Sequence, residues 1–73
     1  MAIARHIERA RIVELVIWYQ SEAALWHAAA DEARRKGHLW RAEDYQRDAR
    51  QDAERAQFNL SRLLALPVPK RRP

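Results

Sequence analysis

Few side chains in this chain have the type and spacing to do chemistry. His27 and Asp31 stand one helical turn apart, a spacing that can bring two metal ligands together. Metal sites in helical bundles need more converging carboxylates, typically with a Glu-x-x-His motif, and none accompanies this pair. Asp44, Asp48 and Asp52 recur every four residues and imitate a cation site. Arg41, Arg47 and Arg55 lie close enough to neutralise that row, so it reads as a solvated, ion-paired helix face. His6 and His38 fall near helix ends without an obvious partner. Ser21 and Ser61 have no base beside them, and the absence of cysteine excludes a thiol nucleophile, a disulfide framework and a thiolate zinc site. The reading is a non-enzymatic chain without cofactor or metal.

Composition points the same way. At 73 residues a single core is marginal without a disulfide, a metal or a second subunit, so oligomerisation is the expected stabiliser. The net charge of +4 favours contact with nucleic acid or acidic protein surfaces. No apolar run approaches the length of a membrane span. Glu8 and Glu14 interrupt Arg5, Arg9 and Arg11, which argues against a signal or transit peptide. A soluble, cytoplasmic protein is expected.

The elements that must position these residues are helices. Gly occurs once and Pro is confined to the last seven residues, while Ala, Leu, Arg, Glu and Gln dominate. The expected fold is all-α: an antiparallel hairpin with one helix over about 2–36, a turn at Gly37 and a second helix over about 38–66. Arg34, Arg35 and Lys36 suit a helix C-terminus, Gly37 suits the left-handed cap, and Leu39 is placed for the apolar contact such a cap carries. Pro67 stops the second helix. Residues 1–66 form the hairpin domain, and 67–73, with Lys70, Arg71 and Arg72, read as a disordered basic tail.

The second helix carries one apolar stripe: Ala42, Tyr45, Ala49, Ala53, Ala56, Leu60 and Leu63. The first supplies a matching one in Ile12, Val16, Tyr19, Ala23, Trp26, Ala30 and Ala33. Folding at Gly37 sets Ala33 opposite Ala42, Ala30 opposite Tyr45, Trp26 opposite Ala49, Tyr19 opposite Ala56, Val16 opposite Leu60 and Ile12 opposite Leu63. Most large residues thereby meet small ones.

The window from Ile12 to Tyr19 is apolar on more sides than one neighbour can cover. Ile3, Ile7, Ala10, Val13, Ile17 and Ala24 point away from the second helix, with Trp18, Leu25 and Ala28 beside them. Leaving several aliphatic side chains in water forgoes about 1.5–3 kcal/mol each. A homodimer with the first helix central, making a four-helix bundle, is the expected solution, with Glu14 and Ser21 fixing its register. On the far side of the second helix, Trp40, Phe58 and Arg47 have the types that anchor partner proteins, and Trp18 joins them if the dimer leaves its edge open.

The function expected is that of a protein-interaction module that binds and modulates, and in some settings inhibits, a heterologous protein. It is similar in kind to the small accessory inhibitors of bacteriophages and mobile elements. The alternative is nucleic-acid binding at the hairpin's open end, where Arg5, Arg9, Arg11, Lys70, Arg71 and Arg72 gather. In length and hairpin shape the chain also resembles the small plasmid copy-number regulators that bind RNA as dimeric helical hairpins. No motif residue is shared with them.

Overall fold

The computed structural model describes residues 2–67, with side chains from His6 onward. Two α-helices pack antiparallel: α1, Ala2–Arg35, and α2, Leu39–Ala65. Lys70, Arg71 and Arg72 and the side chains of Ile3 and Arg5 lie outside the described residues. Among the described residues no helix is long and apolar enough to cross a membrane.

Helix α1 runs its whole length because nothing in it breaks the backbone ladder: no Gly and no Pro occurs before Gly37. Its end is a Schellman cap. Gly37 takes φ +79°, its N–H donates to the Arg34 carbonyl at 3.0 Å, and the His38 N–H donates to the Ala33 carbonyl at 2.8 Å. These bonds satisfy carbonyls the helix leaves open and reverse the chain within three residues. One expected part of the cap is missing. Leu39 is exposed rather than folded against α1, because the chain leaves Gly37 straight into the first turn of α2. His38 stands at the N-cap of α2 without a side-chain cap bond. At the other end Leu66 is extended, as the residue before Pro67 must be, and α2 stops there.

The seam between the helices is built from small side chains. Ala23, Ala30 and Ala33 of α1 and Ala42, Ala49 and Ala56 of α2 are buried, joined by Ile12 and Val16 toward the open end. Among the described residues no large side chain is fully buried. Bulk enters at the margins: Trp26 stacks on Tyr45 with ring centroids 5.5 Å apart, and the Arg55 guanidinium lies 5.9 Å from the centre of the Tyr19 ring. The Trp26 ring thus reaches Tyr45, one turn nearer the loop than Ala49, and stacking two flat rings buries more surface than laying one on a methyl.

Two polar residues sit where the sequence reading placed apolar ones. Asp52 and Asn59 are buried in the seam of α2, while Ala53 is exposed. Asp52 thus leaves the solvated acidic row assigned to it. Its nearest cation is Arg55 at 3.7 Å, a weak pairing. Asn59 satisfies itself locally, donating from Nδ2 to the Arg55 carbonyl at 2.8 Å and accepting from Arg62 Nη1 at 3.2 Å.

Candidate interaction surfaces

The residues examined for chemistry do not converge. His27 and Asp31 are both exposed, and Asp31 accepts from Arg34 at 2.9 Å. Among the described residues no group of three or more His, Cys, Asp or Glu side chains is placed to hold a metal ion. Asp44 pairs with Arg47 instead of acting in a ladder with Asp48 and Asp52. Both serine hydroxyls are turned back on their own helices, Ser21 donating to the Ile17 carbonyl at 2.8 Å and Ser61 to the Gln57 carbonyl at 3.0 Å. Such back-bonding keeps each Oγ against the backbone rather than beside a base.

The turn end is a network of short ion pairs. Glu32 accepts from Arg35 at 2.6 Å and lies 3.3 Å from Lys36, while Arg34 bridges the seam to Gln46. The Arg35 hydrogen bond, with the Lys36 bond behind it, holds the Glu32 carboxyl below the usual carboxylate range. The same contact raises Arg35. These pairs are solvent-exposed, which limits their strength and marks them as devices that hold the cap.

The surfaces with unbalanced chemistry are the outer helix faces. On α1, Ile7, Ala10, Val13, Ile17 and Ala24 are all exposed. Beside them Trp18 and Leu25 are 55% and 66% exposed and Ile17 is 57% exposed. An open groove of about 430 Å³ lined by Arg11, Glu14, Leu15 and Trp18 runs along this helix. Leu15, which the sequence reading did not single out, is exposed because it sits between the seam residues Ile12 and Val16 and the outer stripe. Along one flank of the hairpin a second groove, of about 390 Å³, is lined by the exposed Ala24 and Ala53, the half-buried Leu60 and the edges of the buried Ala23 and Ala56.

On α2 the outer face carries Trp40 and Phe58, 67% and 66% exposed. They lie five turns apart on one side of the helix, roughly 27 Å at 1.5 Å per residue. Arg41 rather than Arg47 reaches Trp40, its guanidinium 5.5 Å from the ring centre. Arg47, grouped with the aromatics as a partner-binding cation, is tied to Asp44, so a partner must compete with that carboxylate for it. Leu64 completes the exposed apolar set near the end of α2.

The basic end is only partly in view. Arg11 is exposed, but Arg9 is half-buried, with Nη1 buried and without a hydrogen-bond partner among the described residues. An arginine turned inward in this way offers less of its fork to a phosphate.

No protein-family model matches the chain, and comparison with curated proteins and with solved structures finds no match.

Proposed function

We propose that the chain is a non-enzymatic interaction module: a helical hairpin that pairs with a second copy into a four-helix bundle and binds and modulates a heterologous protein. One observation carries this reading. The seam is lined by alanines, while Ile17, Trp18, Leu25, Trp40 and Phe58 stand outside it. Large apolar side chains contribute most when buried, so a fold that fills its seam mainly with alanine and leaves these five outside it has apolar surface suited to contacts with other molecules. The outer face of α1 holds a near-continuous apolar strip and suits a second copy. The outer face of α2 holds two separated aromatics among charges, the pattern of anchors within a polar rim, and suits a different protein. Modulation or inhibition of the bound protein follows if Trp40 and Phe58 occupy pockets that the target uses itself.

Two measurements test the proposal. Light scattering at micromolar concentration should give about twice the 8.6 kDa chain mass. A tagged chain should capture a specific protein from host lysate, and Trp40→Ala with Phe58→Ala should abolish capture without altering helicity. A monomer removes the pairing half of the reading. Capture that survives both substitutions removes the assignment of the α2 face.

A further inference from the structure

The outer face of α1 follows a seven-residue pattern: Ile7, Glu14, Ser21 and Ala28 at one position, with Ala10, Ile17 and Ala24 three residues on. Each of these from Ile7 to Ala28 is exposed, and α2 packs on the opposite side of the helix. A 3.5-residue repeat is the pattern by which one helix seats along another. It extends over about 32 Å of α1.

Orientation is decided by charge and by size. Side by side in parallel, two copies of this face would set Glu14 against Glu14 near its centre. Like charges facing one another across an apolar contact are destabilising. Reversing one copy about the midpoint between Ile17 and Trp18 removes this clash. Glu14 then lies opposite Ser21 of the second copy, and Arg11 comes within reach of its Glu22. Size agrees toward the ends, because the same reversal sets Ile7 on Ala28 and Ala10 on Leu25, large against small, while Ile17 and Trp18 of the two copies meet at the axis. Glu14 and Ser21, the polar residues inside the strip, become each other's partners.

We propose that a second copy of the chain covers the outer face of α1 in antiparallel orientation, with the two-fold axis passing between Ile17 and Trp18. The Glu14 carboxylate of each copy accepts a hydrogen bond from the Ser21 hydroxyl of the other. That hydroxyl is exposed and held only by its bond to the Ile17 carbonyl. A charge-assisted bond to a carboxylate replaces a weaker one to a backbone carbonyl. The inference rests on the pairing reading above and gives it a register that the alternative orientations do not share.

Cysteine cross-linking tests it directly, since the native chain has no cysteine to confuse the result. Ala10→Cys and Leu25→Cys change exposed positions, and circular dichroism confirms that each variant keeps its helices. Under mild oxidation each variant alone should remain uncross-linked, while an equimolar mixture should give a disulfide-linked dimer as the main product. Cross-linking of Ala10→Cys with itself means a parallel pair and overturns this inference while leaving pairing intact. A dimer by light scattering in which the mixture does not cross-link means another face pairs, and overturns it too. A monomer by light scattering ends both this inference and the pairing reading.

Discussion

The two sides of α1 are made of different material. The side that meets α2 buries Ala23, Ala30 and Ala33 and gains branched aliphatics only at Ile12 and Val16. The side that meets nothing in the hairpin carries Ile7, Val13, Ile17, Trp18 and Leu25. Alanines let two backbones approach closely, but each removes little apolar area from water. The inner side therefore sets the geometry of the hairpin, and the outer side holds most of the unused hydrophobic stabilisation. Helix α2 has no such second strip. Outside its seam its large side chains are charged residues, two separated aromatics, and Leu39 and Leu64 near its two ends.

Substitution on the two sides of α1 should break this comparison if it is wrong. Ile12 is 3% exposed, and Ile12→Ala should cost about 2–5 kcal/mol by chemical denaturation, because few other large side chains share its load. Ile17→Ala is the matching change outside. In a lone hairpin an exposed substitution of this kind moves stability by no more than about 0.5 kcal/mol. In a paired one it should cost about 1–2 kcal/mol at high protein concentration and fade on dilution. Equal losses at all concentrations would erase the distinction between the two sides. Ala49→Leu probes the same contrast from α2. Ala49 is 0% exposed, so inserting a larger side chain should push the helices apart and cost about 1–3 kcal/mol in denaturation.

The architecture was legible because every local signal agreed: helix-forming composition, one glycine at the turn, cations before it and a proline after the second helix. The division of α1 into an inner and an outer face followed from periodicity alone. In the acidic row the expected ion pairs form, Asp44 with Arg47 and Asp52 with Arg55, and the burial of Asp52 departs from the reading for a physical reason. Ala42, Ala49 and Ala56 recur every seven residues, and Tyr45, Asp52 and Asn59 recur three residues behind them. That is a complete two-position seam, but a carboxylate and an amide are expected in water, so Ala53 was preferred to Asp52 as a seam residue. The thin alanine interface makes burial of Asp52 tolerable, since the Arg55 side chain lies along its margin at 3.7 Å. The stack of Trp26 on Tyr45 is not legible in the sequence, because spacing fixes direction around a helix but not which ring another ring will choose. Partner identity is not written in periodicity at all.

The turn should respond less than the seam. Gly37 sits at φ +79° with open space where a Cβ would stand, so Gly37→Ala meets only backbone strain and no clash. That strain, partly offset by the lower entropy of the unfolded chain, should cost about 1 kcal/mol in thermal or chemical unfolding. A loss as large as that of Ile12→Ala would mean that the turn, rather than the seam, holds the helices together.

The smallest effect should come from the ion pairs behind the cap. Glu32 is exposed, and its carboxyl is held below its usual range first by the Arg35 hydrogen bond and then by Lys36. A carboxyl depressed in the folded state favours the folded state when ionised. Its contribution is therefore present at neutral pH and is lost as the pH falls through the lowered value. Two influences keep it small. Solvent screens the pairs, and a negative charge in the last turn of α1 opposes the helix dipole that Arg34 and Arg35 complement. Glu32→Gln should accordingly lower thermal stability slightly at pH 7 and leave it unchanged in acid, where the native carboxyl is already protonated. Thermal unfolding followed by circular dichroism across that range reads the difference between the two chains. If the difference grows rather than vanishes as the pH falls, Glu32 acts through something other than its charge.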